Sequence, residues 1–541
     1  MPLYIKPYTN WLDSKAAYEY FLPFSQDSKG KWNNLQLTED EQQTDYFFVI
    51  NHPGAQIVPS LKRTLVFQME PQVGINQWGS WAAPPRADFF QVRSHDLYLN
   101  NCEWHLGLTH QELAVAAPLE KTRVISAVIS DKYIDPGHIK RVNFLRFIET
   151  KDSKLISIFG TCASLQFTNY KGILPHMNKA NALLPYTYHF AAENHSEHNY
   201  ITEKVCDAIL ANCLCFYFGA PNIEEVFPDA VIPLALEDFP RDYEVILATI
   251  SRGEHERRLP AIRRAREKIL YQYSIFPTLD AVITTHSKCR RTYCLNLARR
   301  TDRREKMVQK LKAAGLQADF RLATDGRDDS VFTPEIIRLF KGNDFNYKRG
   351  TMACALSHLA MWLELVADET AADDDYYFIL EDDVEFEDTF TRYFEYVVHS
   401  LDPNWSMLFL GYQMFEENLS AHHSIYRKTQ PAQEPIVAPL NLDLYIGGFH
   451  CYLITKVAAR KLCDFISLAN LRHGIDYIPK RYGCQIGLSL YESQYQLAAA
   501  DWVYSWGRGD SDVQVNSDEL PAREIYKALY PWEEVVNLLL K

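Results

Sequence analysis

Short apolar runs alternate with helical patterns along most of this chain, and that alternation constrains the fold more than any other feature. Tyr46–Ile50, Thr64–Met69, Arg123–Ser130 and Leu155–Gly160 read as strands, as do Ala281–Thr285, Thr292–Leu297, Tyr376–Leu380, Met407–Gly411 and His450–Thr455. Apolar residues at helical spacing lie between them, as in Arg303–Ala314, Ala353–Val366 and Val457–Ile466. Such alternation builds parallel α/β sheets with helices on their faces. The chain has 541 residues, enough for roughly two to four compact units. One joint stands out. Ser251–Tyr273 is basic and helix-forming, with Leu259, Ile262, Ile269 and Leu270 at helical spacing, and Pro277 closes it. A new strand–helix pattern starts near Thr292, so the boundary is expected between 275 and 290.

Charge and cysteine usage narrow the function classes. With 56 basic and 69 acidic residues the net charge is −13, which disfavours a nucleic-acid partner because phosphates call for a basic face. The opening MPLYIKPYTNWLD has no apolar run, so no secretory signal is expected. The best apolar window, Val205 to Ala220, is broken by Asp207 and Asn212, so no transmembrane segment is expected either. A cytoplasmic location follows as the expectation. The eleven cysteines include a C-x-C at Cys213 and Cys215 but no C-x-x-C. That argues against a zinc ribbon or a thioredoxin-like motif and for reduced, mostly buried thiols.

In the N-terminal half the informative segment is Tyr188–Pro221, which carries Tyr200-Ile201-Thr202-Glu203-Lys204, a helix, an apolar strand and Gly219-Ala220-Pro221. A helix N-terminus offers unpaired N–H groups and a partial positive charge, which suits a diphosphate. Lys204 adds a full charge, and Glu203 can accept hydrogen bonds from a ribose or a sugar. The plainer alternative is that Thr202 caps the helix and Glu203 complements its dipole. The longer string E-N-x(5)-Y-I-T-E-K resembles the donor-binding signature of the family 10 α-1,3/1,4-fucosyltransferases. The resemblance covers about Thr44 to Ile250 and implies an inverting GT-B enzyme that uses GDP-fucose. It further implies Asn194, Tyr200, Glu203 and Lys204 at the GDP-sugar, Arg141 on its phosphates, and Glu70 as the general base. Inversion needs one base to take the proton of the attacking hydroxyl; a solvated glutamate at a strand end is the ordinary alternative. His195 stands where the family commonly has Ser, and His195-x-x-His198 has the spacing of a metal pair without a visible third ligand.

The C-terminal half opens on Cys294–Arg304, a strand followed by an arginine-dense loop and a helix. Farther on, Tyr376–Leu380 runs into Glu381, Asp382 and Asp383. Three carboxylates at the end of an apolar strand are costly unless a cation or solvent answers them, and hard oxygen ligands suit Mn²⁺ or Mg²⁺. A solvated acidic turn is the alternative. Five ordered blocks resemble glycosyltransferase family 25, which includes lipooligosaccharide sugar transferases and collagen galactosyltransferases. They are Asn296–Arg303; Gly350, Leu356, Ser357 and His358; Leu380–Asp383; Gly448 to Leu462; and Ile475-Asp476. One departure is Gly350-Thr351-Met352-Ala353-Cys354, where the family usually carries an acidic residue and Gly-Cys. The resemblance spans about 290 to 505 and implies a GT-A domain. By it, Asp383 with Glu381 or Asp382 holds the metal, and Asn296, Arg300, Arg303, Ser357, His358 and Asp382 face a UDP-sugar. Asp476 is the base or an acceptor contact. Arg300 and Arg303 read equally as a solvated helix start, and His358 equally as a buried, hydrogen-bonded histidine.

The combined expectation is an α/β protein: a two-lobed Rossmann-type GT-B-like unit followed by a GT-A-like nucleotide-binding domain. Residues 1–150 form the acceptor lobe, 151–280 the GDP-sugar lobe and 290–541 the second transferase. The donors are GDP-fucose and a UDP-hexose, galactose or glucose; the acceptor is an oligosaccharide or glycoconjugate. The alternative gives activity to the C-terminal half alone, with the N-terminal half a glycan-binding module.

Overall fold

The structure, a computed structural model, describes residues 2–100, 103–115, 120–415, 418, 437–500 and 532–540. The chain divides into two compact units, Met1–Asp280 and Ala281–Lys541. The first contains two sheets. Strands β1 (Leu3–Thr9), β2 (Lys31–Trp32), β3 (Leu35–Leu37), β4 (Tyr46–Ile50), β5 (Thr64–Phe67) and β6 (Gln91–Arg93) form one, in the order β2-β3-β1-β4-β5-β6. All its pairings are parallel except β2 with β3. Strands β7 (Arg123–Val128), β8 (Ile156–Phe159), β9 (Tyr186–Ala192), β10 (Leu214–Phe218) and β11 (Val231–Pro233) form the other, wholly parallel, in the order β11-β10-β9-β7-β8. Every residue of β5 and β10 is buried, as expected of parallel strands covered on both faces.

The second unit is built on a mixed sheet. Its chain order runs β12 (Cys289–Asn296), β13 (Asp319–Leu322), β14 (Tyr376–Glu381), β15 (Val384–Phe386), β16 (Met407–Gln413), β17 (Val437–Pro439), β18 (Gly447–Thr455), β19 (Leu490–Ser493) and β20 (Ala498–Ala500). Among the described residues seven of these make one sheet, β13-β12-β14-β18-β16-β19-β17, and β15 pairs with β20. The strands β12, β13 and β14 are parallel, and β18 is antiparallel to both β14 and β16. Side-chain alternation separates two cores. Tyr377, Ile379, Phe409 and Tyr452 pack with helix Arg349–Ala367 on one face. Tyr376, Phe378, Leu380 and Leu453 pack with helices Thr301–Ala313 and Phe390–His399 on the other.

The α/β class with parallel sheets is as expected; three local readings are not. Ala281–Thr285 is no strand. It lies in helix Ile275–Lys288, whose buried Phe276, Leu279, Val282 and Ile283 follow helical spacing that a short β-branched run conceals. Pro277 does not close the preceding helix: that segment ends at extended Ser274, and Pro277 sits in the first turn of the next. The lobe border at 150 is also misplaced, because β7 and helix Pro136–Lys151 belong with the second sheet. Among the described residues one helix, Arg349–Ala367, is long and apolar enough by length and composition to cross a membrane, with 61% of that window buried in the fold.

Candidate functional site

In the N-terminal unit the E-N…Y-I-T-E-K segment is organised by a residue absent from the sequence-based set. Glu193, the carboxylate just past β9, is fully buried. It accepts the Thr202 N–H at 2.9 Å and the Thr202 hydroxyl at 2.7 Å, and lies 3.1 Å from Lys204 Nζ. Thr202 in turn caps helix Glu203–Leu210. Two glycines make room for Glu193. A Cβ on Gly137, in the first turn of helix Pro136–Lys151, would fall 1.8 Å from its carbonyl oxygen, and one on Gly219 would fall 2.5 Å from its Cγ. The Gly137 N–H also donates to the Asn194 carbonyl at 2.9 Å. Two helix N-termini therefore converge on Glu193-Asn194.

Charged groups gather around this point. Arg141 is buried; Nη2 donates to Ser130 Oγ at 2.9 Å, and Nε is a buried donor with no hydrogen-bond partner among the described residues. Burial pulls its pKa down to about 10, against the pull of Glu193 and Glu203. Burial alone would raise the Glu203 pKa, but Lys204, Lys179 and His105 hold it well below the ordinary carboxylate value. Burial works against the Lys204 ammonium, and Glu193 and Glu203 together raise its pKa above the ordinary value. Glu70 is exposed just past β5. The protein around its carboxyl raises its pKa and Lys204 opposes that, so it lies within electrostatic reach of the helix N-terminus. Tyr200 is 2% exposed and packs edge-on against His95 at 5.4 Å. It is a packing residue where the two lobes meet, beside the Asn199 side-chain donation to the His95 carbonyl (2.8 Å). His195 faces Asp135 at 3.4 Å, and His198 is exposed.

Behind the Glu203 helix lies a second charged group. Lys179 sits 2.8 Å from Asp207 and 3.4 Å from Glu203, and Tyr20 donates to Glu103 at 3.0 Å. Burial first, then the Glu203 charge, pushes the Glu103 pKa up to about 8.

The C-terminal unit has a cleft of about 230 Å³ at the carboxyl ends of β12 and β14, where parallel α/β sheets bind their ligands. Arg303, Ser357, His358, Glu381, Asp382, Asp383 and Asp476 all line it. Arg303, in the first turn of helix Thr301–Ala313, donates to Asp382 at 2.8 Å and approaches Asp383 at 3.4 Å. His358 Nε2 is 3.1 Å from Glu381, and its Nδ1 is 2.9 Å from the Tyr452 hydroxyl. Ser357 Oγ accepts the Thr324 N–H at 2.9 Å and donates to the Ala353 carbonyl at 2.9 Å. Asp476 accepts the Gly448 N–H at 2.7 Å, and a Cβ on Gly447 would come within 2.5 Å of the same carboxylate.

Two residues of the expected nucleotide-facing set do not line this cleft. Asn296 stands behind it and donates to Asp382 at 2.7 Å, because the register of β12 on β14 sets Leu295 beside Glu381. Arg300 is turned onto Asp302 at 2.9 Å. Both hold up the site rather than face it. Sequence reasoning missed the cleft-lining pair Arg299 and Asp325, 2.9 Å apart. Nothing in its spacing marked Asp325.

The donor set at β14 fits a hard divalent cation. Asp383 is 8% exposed, and its Oδ1 has no hydrogen-bond partner among the described residues. Burial first, then the charges of Glu381 and Asp382 against that of Arg303, raises its pKa to about 7. A buried oxygen left unpaired calls for a cation or a water.

Residues 290–478 match glycosyltransferase family 25 (LPS biosynthesis protein). A putative glycosyltransferase, R655, of Acanthamoeba polyphaga mimivirus is 32% identical over 231 residues, 42% of this chain and 67% of that protein. Procollagen galactosyltransferase 1-B of Xenopus laevis is 28% identical over 225 residues, 39% of this chain but only 34% of its own length. Among solved structures, an α1,3-fucosyltransferase with GDP aligns with 51% of this chain and 92% of its own, at 16% identity and a TM-score of 0.30. The family match and the mimiviral and Xenopus relatives place the protein among the glycosyltransferases. It belongs to glycosyltransferase family 25, through its C-terminal unit.

Proposed function

We propose that the protein is a two-headed inverting glycosyltransferase, with a GDP-fucose head in residues 1–280 and a UDP-hexose head, using galactose or glucose, in the C-terminal unit. The observation that carries the reading is that each unit gathers cationic and carboxylate side chains at one point: Arg141, Glu203 and Lys204 with Glu70 opposite, and Arg303, Asp382, Asp383 and Asp476 in the cleft.

In the first head, the N-termini of helices Pro136–Lys151 and Glu203–Leu210, with Lys204 and the Nε of Arg141, hold the donor diphosphate. Glu70 takes the proton of the acceptor hydroxyl as that oxygen attacks the anomeric carbon and GDP leaves. In the second head, which has a GT-A-like role, Asp383 with Asp382 or Glu381 holds Mn²⁺ or Mg²⁺. Such an ion, when bound, neutralises charge developing on the departing diphosphate. Arg303 keeps Asp382 and Asp383 together, Ser357 and His358 line the donor side, and Asp476 serves as base or acceptor contact. Joining two heads raises the effective concentration of the first product at the second site.

A donor screen on the intact protein with and without Mn²⁺, read by product mass, tests the reading. Consumption of GDP-fucose and of a Mn²⁺-dependent UDP-hexose is expected. Consumption of the UDP-sugar alone would make the N-terminal half a glycan-binding module, and consumption of neither would overturn the proposal.

A further inference from the structure

Cys354 and His358 are four residues apart on helix Arg349–Ala367, so their side chains project from one face a turn apart. Glu381 ends β14 beside them. The three ligand atoms, a thiol sulfur, an imidazole nitrogen and a carboxylate oxygen, all lie within 4.8 Å of one another. All three residues line the same cleft, where the partnerless Asp383 Oδ1 is also found. The geometry points to a second cation site, in which Cys354, His358 and Glu381 take a thiophilic divalent ion of the Zn²⁺ class and leave a fourth position open to the cleft. This site differs in chemistry from the hard-oxygen pair that Arg303 holds at Asp382 and Asp383.

The distances need little adjustment. Tetrahedral coordination with bonds of about 2.0–2.3 Å sets neighbouring ligand atoms roughly 3.3–3.6 Å apart. His358 Nε2 and Glu381 already stand at 3.1 Å. The sulfur therefore closes by at most about 1.5 Å, within the reach of a side-chain rotation. The outer partner of the histidine is also in place. Tyr452 Oη lies 2.9 Å from His358 Nδ1 and accepts the Trp362 N–H at 3.1 Å. With Nδ1–H donating to that oxygen, the Nε2 lone pair is free for a metal, the arrangement that orients ligating histidines generally. Binding converts the thiol to a thiolate and releases its proton to solvent, so no other reactant is consumed.

The inference needs no assumption about which sugar is transferred. It is tested by titrating the intact protein with Cd²⁺ and following the ultraviolet thiolate-to-cadmium charge-transfer band. A saturable band is expected, absent in C354S, shifted at least tenfold in midpoint in H358Q, and undiminished by a tenfold excess of Mg²⁺. No band, a band unchanged in C354S, or a band erased by Mg²⁺ would overturn it. Should C354S not fold, X-ray absorption at the metal edge of the loaded wild-type protein decides. One sulfur among nitrogen and oxygen neighbours supports the site; a shell of oxygens only, or of several sulfurs, overturns it.

Discussion

Glu193 has no exposed surface, and the charge that answers it comes from Lys204 at 3.1 Å. Removing one partner of a buried ion pair costs on the order of 3–5 kcal/mol, because the other is left charged and unsolvated. Lys204→Met is therefore expected to lower the denaturant midpoint of the N-terminal unit as well as to abolish GDP-sugar binding. Glu193→Gln with Lys204→Met should recover much of the stability and none of the binding, measured by urea melts beside calorimetry. A second residue-scale expectation concerns pH. The folded-state pKa of Glu103, about 8, lies above its ordinary 4.5, so the folded chain holds this proton more tightly than the unfolded one. Its contribution to stability is complete below about pH 4.5 and is lost as pH rises toward 8, at up to about 1.4 kcal/mol per pH unit. Glu203, with its pKa lowered, acts in the opposite sense and only in more acid solution. Thermal melts from pH 5 to 8 should thus fall for the wild type relative to Glu103→Gln; parallel curves would refute the assignment. Lys204 and Glu203 were legible because a helix start advertises them. The roles of Glu193 and Glu103 were not, since burial and the approach of Gly137 and of Tyr20, far off in sequence, decide them.

Elements show the same contrast between what neighbours in sequence dictate and what tertiary packing decides. The end of β14 was legible, because an apolar strand running into three carboxylates has few physical explanations. The segment 281–285 was not, because five apolar or β-branched residues satisfy a strand and a helix equally until the buried positions on either side are seen. The helix N-termini at the candidate GDP-sugar site illustrate the second limit. Helix Pro136–Lys151 can approach Glu193-Asn194 only because residue 137 lacks a side chain. Gly137→Ala keeps helix propensity, yet places a Cβ 1.8 Å from a backbone oxygen that cannot rotate away. Overpacking of this kind costs about 1–3 kcal/mol. The expected result is a lowered melting temperature for the N-terminal unit and at least a tenfold loss of GDP affinity. An alanine variant with wild-type GDP affinity would show that this convergence does not form the binding site.

At the scale of the whole molecule, a net charge of −13 says little about chemistry that is local. Each unit encloses its own charged cluster, and the two clusters share no residue. Sites without shared partners respond to substitution independently. In the intact chain, Glu70→Gln should therefore remove GDP-fucose consumption and leave Mn²⁺-dependent UDP-hexose consumption within twofold. Asp383→Asn should do the reverse, because it neutralises the carboxylate whose Oδ1 lacks any hydrogen-bond partner among the described residues. With both donors and one acceptor present, consecutive transfer predicts a sharper result. Whichever head acts first, its variant stops both additions, whereas the variant of the later head lets the singly extended product accumulate. Two variants that each leave one singly extended product would mean that the heads serve separate acceptor positions, and tethering would then confer no kinetic order.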